Sequence, residues 1–115
     1  MIIQTISGEG IEKILLDNYF RNLVNRIFKI LPMRENNEES LNAYLVNLRD
    51  EMIGCQNLVP DVKSNSLFSS ILFTLQYLID TPECSVNDVR SKVFGSISVC
   101  NKLVSAYTKL EVSAE

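Results

Sequence analysis

Residues 67–79 read LFSSILFTLQYLI, and this stretch decides the fold. Nine of its thirteen residues are apolar, and no charged residue occurs between Lys63 and Asp80. Most of the apolar residues recur at steps of three and four, which is typical of one face of an α-helix: Leu67, Phe68, Ile71, Leu72, Leu75, Leu78 and Ile79. Phe73 and Tyr77 lie on the other face. Such a helix needs cover from the rest of the chain or from a second copy of it.

The central stretch is too short to span a membrane, because a spanning helix needs about 20 apolar residues and this run stops at Asp80. The first ten residues, MIIQTISGEG, have neither the basic segment nor the apolar core of a secretory signal. Cys55, Cys84 and Cys100 are an odd number without metal-type spacing, so we expect free thiols. These features predict a cytoplasmic protein.

The segment before the central helix predicts two more helices, near 10–31 and 37–56. In the first, Val24, Phe28 and Leu31 are expected to widen an apolar seam formed by Leu16, Phe20, Leu23, Ile27 and Ile30. Pro32 is expected to end this helix because the residue before proline avoids the α region. Asn36 is expected to cap the second helix, with Glu39 as its reciprocal partner. Gly54 or Asn57 would end that helix, and Pro60 would prevent its continuation.

The central helix is predicted at 66–80, capped by Asn65 or Ser66, and a last helix at 86–109. Ser85 and Asp88 resemble a capping box at the start of the last helix. Four helices joined by short connections predict an all-α fold, a single antiparallel four-helix bundle. Up-down-up-down order is expected, although the connector between helices 2 and 3 would also permit a crossing.

The chain is expected to be one domain over 1–115, with a short non-helical N-terminal arm at 1–8 and frayed residues at 111–115. Residues 2–6, IIQTI, are β-branched enough for a strand, but a single strand has no partner within the chain. They form either a loosely attached terminus or an arm that docks on a second subunit.

The inventory of reactive groups argues against an enzyme. The chain has no histidine, which is the commonest general acid or base and the commonest metal ligand. Its four glycines are scattered and form no phosphate-binding loop. We therefore expect no catalytic residues, no cofactor and no metal.

Two sets of residues remain as candidate binding surfaces. The first is apolar and suits a protein partner or a second copy of the chain: Phe73, Tyr77 and Phe94. The second consists of the basic faces of helices 1 and 4: Arg21, Arg26, Lys29, Arg90, Lys92 and Lys102. The simplest explanation of the basic residues is ordinary solvated faces, paired across the bundle with the acidic helices 2 and 3. An acidic protein or a nucleic acid are the alternatives.

Two stretches also carry a resemblance: NYFRNLVNRIFKILPMREN at 18–36 and LQYLIDTPECSVNDVRSKVFGSISVCNKL at 75–103. With ESLNAYLVNLRDEMIGC between them, they resemble small uncharacterised proteins of phages, prophages and mobile elements of low-GC Gram-positive bacteria. The resemblance covers most of residues 18–103 and brings no assigned site residues. It implies a phage or mobile-element protein in a bacterial cytoplasm that binds a host or phage protein.

Together these observations predict a non-enzymatic helical interaction protein that self-associates, binds another protein, or both. A homodimer is expected, and a sharper version is an inhibitor of a host defence or regulatory protein. A monomer would follow if the other helices enclosed Phe73 and Tyr77. The alternative function is a nucleic-acid-associated accessory protein that uses the basic faces of helices 1 and 4.

Overall fold

A computed structural model describes the backbone of residues 2–4 and 10–113, and the side chains of residues 15–59 and 62–105. The chain begins with two short strands, β1 (Ile2–Gln4) and β2 (Gly10–Glu12). Six helices follow in order: α1 (Lys13–Phe28), α2 (Ile30–Glu35), α3 (Leu41–Leu58), α4 (Pro60–Lys63), α5 (Ser66–Asp80) and α6 (Val86–Ser113).

The four long helices, α1, α3, α5 and α6, form the antiparallel four-helix bundle that the sequence predicts. Neighbours around the bundle follow chain order: α3 packs on α5, α5 on α6, and α6 on α1. Side chains close the ring between α1 and α3, where the Tyr44 hydroxyl donates a hydrogen bond to the Arg26 carbonyl at 2.7 Å. The molecule is elongated, 46 Å in its longest dimension, which matches the length of about 42 Å expected for the 28 residues of α6.

One continuous core fills the bundle, and all four long helices contribute apolar side chains to it. The side chains that are almost fully enclosed come from every long helix: Leu16, Phe20, Leu23, Ile27, Leu48, Met52, Phe68, Ile71, Leu75, Val93, Cys100 and Leu103. The most extensively packed helix is α6, which contacts α1, α2 and α5. The expectation that α5 is the central helix of the bundle is therefore wrong, because α5 packs on α3 and α6 and leaves one face open.

Helix α5 has the bounds that the sequence predicts, 66–80. Asn65 caps its first turn, since its side-chain oxygen accepts hydrogen bonds from the backbone N–H groups of Leu67 at 2.9 Å and Phe68 at 3.3 Å. These two bonds satisfy donors that have no partner inside the helix. At the start of α6, the N–H of Asp88 donates to the Ser85 hydroxyl at 3.1 Å, which confirms one half of the predicted capping box.

Pro32 ends the first helix earlier than expected, at Phe28 instead of Leu31. Proline at position 32 has no N–H for the Phe28 carbonyl and its ring crowds that carbonyl, so α1 ends at Phe28. Helix α2 then begins at Ile30, and Pro32 lies in its first turn, where a missing N–H removes no intrahelical bond. The proline therefore separates α1 from α2 instead of stopping the chain's helical path.

Asn36 and Asn37 end a helix instead of beginning one, which corrects the predicted cap of the second helix. The N–H of Glu38 donates to the Met33 carbonyl at 3.0 Å and that of Asn37 to the Arg34 carbonyl at 3.1 Å. This pair of bonds is a Schellman motif. Asn37 supplies the left-handed residue that the motif needs, with φ of 52°. Helix α3 begins only at Leu41, after Ser40, which makes no side-chain cap.

Helix α3 passes through Gly54 and Asn57 and ends at Leu58, so neither of these two residues terminates it. Pro60 stands at the first position of α4, where proline is favoured. The predicted polar connector between the second and third long helices thus contains a short helix of its own.

The chain termini differ from expectation in two respects. Strand β1 does have a partner within the chain: it pairs with β2 in antiparallel register, Ile3 opposite Ile11. Gly10–Glu12 was expected to be helical, so the pairing was missed. The remainder of the predicted arm, residues 1 and 5–8, lies outside the described residues. At the other end, α6 continues to Ser113, beyond the predicted end at 109, and residues 114–115 are not described.

Candidate interaction surfaces

The most exposed large apolar side chain in the described part of the chain is Phe73, at 77% exposure. It projects from the middle of α5, opposite the buried side chains of Ile71 and Leu75. Ordinary packing does not account for it, since α5 buries its inner face completely while holding a phenyl ring in solvent. This part of α5 also carries no charge, because no ionisable acid or base occurs between Ser64 and Ile79 except Tyr77.

Shallow grooves lie on both sides of Phe73. The groove toward α3 has a volume of about 270 Å³ and is lined by Ile53, Leu72 and Gln76. The groove toward α6 is lined by Ser70, Thr74, Tyr77 and Lys92 among others. We call the apolar surface formed by Ile53, Leu72, Phe73 and Tyr77 the α5 face.

Charged groups at the edges of the α5 face already have partners. Arg49 donates to the Gln76 side-chain oxygen at 3.1 Å and pairs with Asp50 at 3.0 Å. Lys92 places its ammonium group 4.9 Å from the centre of the Tyr77 ring. Removing an unpartnered charge from water is costly. Because these charged groups already have partners, a second molecule that covers the face would desolvate few free charges.

Tyr77 is held in place by α6. Its hydroxyl donates a short hydrogen bond to the Asp88 carboxylate, and this bond raises the pKa of Tyr77 above its ordinary value. Lys92 packs over the same ring. A side chain already fixed in this way loses little further rotamer freedom when a partner covers it.

Phe94 does not belong to the α5 face. It is 49% exposed, and its ring makes an edge-to-face contact with Phe28 of α1, with centroids 6.2 Å apart. Phe28 was expected to widen the buried seam of the first helix, but it is 48% exposed. The three predicted apolar residues thus divide into two surfaces, the α5 face and a Phe28–Phe94 pair on the α1 side of α6.

Two of the three predicted basic residues of the first helix contact α3. Arg26 forms an ion pair with Glu51, and this hydrogen bond raises the pKa of Arg26. The Lys29 ammonium lies 5.9 Å from the centre of the Tyr44 ring. Arg21 is exposed. These contacts fit the simplest explanation of the basic residues, pairing across the bundle.

The basic residues of α6 point to other neighbours. Arg90 pairs with Glu35 of α2 at 3.6 Å and donates to the Asn87 side chain at 2.9 Å. Lys92 lies on Tyr77, on the α5 side, and Lys102 is exposed. Contacts to three different helices therefore distribute Arg26, Lys29, Arg90 and Lys92 around the bundle.

The three cysteines are free thiols, as expected. Cys100 is fully buried, and burial raises its pKa to about 12. Burial is also the largest cause of the raised pKa values of Cys55 and Cys84. All three thiols are therefore poorer nucleophiles at neutral pH than an exposed cysteine.

Two searches of the described residues gave negative findings. No group of three or more cysteine, aspartate or glutamate side chains in this part of the chain lies close enough to hold a metal ion. No helix in it combines the length and hydropathy needed to cross a membrane. Comparison with protein-family models, curated proteins and solved structures gave no significant match.

Proposed function

We propose that this protein is a helical interaction module that forms a homodimer through the α5 face. The observation that carries the proposal is the exposure of Phe73, 77%, at the centre of a helix that has no charged residue before Asp80. An exposed phenyl ring adds little to the stability of the monomer, but it would contribute strongly to the binding energy of an interface, because aromatic side chains dominate interface energetics.

A two-fold arrangement suits the geometry of α5. Phe73 is the eighth of the fifteen residues of the helix, so it lies at the midpoint. If two copies of α5 pack antiparallel about a two-fold axis there, each Phe73 lies beside the groove of the other copy. That groove is lined by Ile53 and Leu72. A two-fold interface needs a surface complementary to itself, and a projecting ring beside an apolar groove meets that need.

The grooves on both sides of α5 have to contribute to such an interface. A stable interface buries about 800 Å² on each partner, whereas α5 alone is only about 22 Å long. Ile53 on α3 and Tyr77 with Lys92 on the α6 side extend the contact beyond the helix itself. In the phage or mobile-element context that the resemblance implies, a host or phage protein is the competing occupant of this face.

Light scattering of Phe73→Ser and a matched control tests the proposal. At micromolar concentration the wild-type protein should have twice the chain mass of 13.0 kDa, and Phe73→Ser should have the mass of one chain. Phe94→Ser removes an equally large exposed ring from the other side of α6 and should remain dimeric. A wild-type mass of 13.0 kDa would refute self-association and leave the face to a different partner. Equal dimerisation of both variants would refute the α5 face.

A further inference from the structure

A concave site lies at one end of the bundle, where the α2–α3 turn meets the α5–α6 turn. It has a volume of about 370 Å³, near the lower end of the range for ligand-binding pockets. Its lining combines buried apolar side chains with polar groups at the mouth. It shares no lining residue with the grooves beside Phe73.

The apolar part of this pocket comes from four elements. Ile30, Leu45, Leu78 and Val89 lie in its lining, and each is no more than 5% exposed. Leu41 adds a partly buried side chain at the start of α3. An apolar side chain of a partner that entered here would contact the bundle core directly, and burying it is favourable at about 25 cal/mol per Å² of apolar surface.

Arg34 fixes the shape of the mouth. Its Nη2 donates to the Cys84 carbonyl at 3.1 Å, and its Nη1 donates to the Asn37 side-chain oxygen at 3.2 Å. One arginine therefore ties the two turns together across the pocket. Both terminal nitrogens of Arg34 are thus occupied by groups of the chain itself.

The chain around the pocket is strongly acidic. Residues 34–39 and 80–90, which include both turns, contain six acids and two arginines, a net charge of −4. Glu38 and Glu39 lie at the mouth itself and are exposed. The rest of the chain sums to +1, given the total of −3. This charge repels phosphate groups and favours a partner that carries lysine or arginine.

We infer that this pocket binds a protein segment in which an apolar side chain is flanked by basic residues. The apolar side chain occupies the pocket lined by Leu45 and Val89. The basic flanks of the segment pair with Glu38 and Glu39 at the mouth. Peptide recognition commonly combines an apolar anchor in a groove with polar contacts at its edge. This inference concerns a different surface from the proposed dimer and does not depend on it.

Selection of a random-peptide phage-display library on the immobilised full chain tests the inference. The enriched peptides should contain an apolar residue flanked by lysine or arginine. They should bind the purified protein in solution more weakly as salt is added. Enrichment of acidic peptides, of peptides without basic residues, or of no peptide at all would overturn the inference.

Two pairs of variants locate the binding. Asn42→Trp places a large ring at the mouth from an exposed position and should abolish binding of the selected peptides, whereas Phe73→Ser should not change it. Glu38→Lys should weaken binding by about fivefold or more, because it removes one exposed ion pair and adds a repulsion. Asp50→Lys makes the same charge change on the exposed surface of α3 and should have little effect.

Circular dichroism melting shows that each variant is folded before binding is compared. Retained binding by folded Asn42→Trp, or loss of binding in Phe73→Ser alone, would place the peptides elsewhere and refute the pocket. Equal weakening by Glu38→Lys and Asp50→Lys would refute the role of the charges at the mouth.

Discussion

Replacing Leu75 by alanine should destabilise the bundle by about 3 kcal/mol. Leu75 is 1% exposed and packs in the core on the inner side of α5. The substitution removes three carbon atoms, worth about 2.4 kcal/mol of transfer free energy at about 0.8 kcal/mol each. The remaining cavity raises the loss within the range of about 2–5 kcal/mol seen for buried leucines.

Urea denaturation at neutral pH, followed by far-ultraviolet circular dichroism, measures this loss. A chain of 115 residues is expected to be stable by about 6–17 kcal/mol, so the midpoint should fall markedly while the slope stays constant. Thr74→Ala is the control. Its hydroxyl donates only to the Ser70 carbonyl of its own helix, at 3.2 Å, and its loss should change stability by less than about 0.5 kcal/mol. Equal midpoints for the two variants would refute the orientation assigned to α5.

Other substitutions test the caps and a buried thiol. Asn37 has a left-handed backbone conformation, with φ of 52°, which asparagine and glycine tolerate better than alanine does. By urea denaturation, Asn37→Ala should lower the free energy of unfolding by about 1–2 kcal/mol, whereas Asn37→Gly should be close to wild type. Asn65→Ala removes two cap bonds and should lose about 1 kcal/mol; an unchanged midpoint would contradict the cap. Because the pKa of Cys100 is about 12 in the fold against 9.0 for an ordinary thiol, its contribution to stability is fully present below pH 9 and is lost as pH rises toward 12. The free energy of unfolding of the wild type, measured by urea denaturation, should therefore fall above pH 9 more steeply than that of Cys100→Ala, by about 1.4 kcal/mol per pH unit. Parallel pH dependences of the two proteins would contradict this assignment.

The parts of the fold that sequence predicts well are those where one signal dominates. Helix α5 has an unbroken apolar periodicity and a single good cap in Asn65, and its bounds agree with the prediction. The orientation of Phe73 follows from the same periodicity, so its exposure was predictable. Phe28 was assigned to a buried seam, because helical spacing alone does not show how far around α1 the contact with α6 extends.

The errors lie where one residue type serves two structures. Asparagine caps the beginning of a helix and also occurs at its end, so Asn36 was assigned to the start of α3 although it is the C-cap of α2. Proline is excluded from helix interiors but favoured in first turns. Pro32 was therefore placed after a helix, although it lies in the first turn of α2. The pocket beside Arg34 was not predictable, because it exists only where two turns distant in sequence meet.

The packing of α1 on α6 has a consequence for protein synthesis. The most extensive helix pair of the bundle joins the first long helix to the last, and 57 residues lie between Phe28 and Val86. At about 5–20 residues per second, the ribosome makes α1 roughly 3–12 s before it begins α6. During that interval the apolar seam of Leu16, Phe20 and Leu23 lacks its main cover. The nascent chain is therefore most prone to aggregation before its final quarter is made, and the bundle closes late.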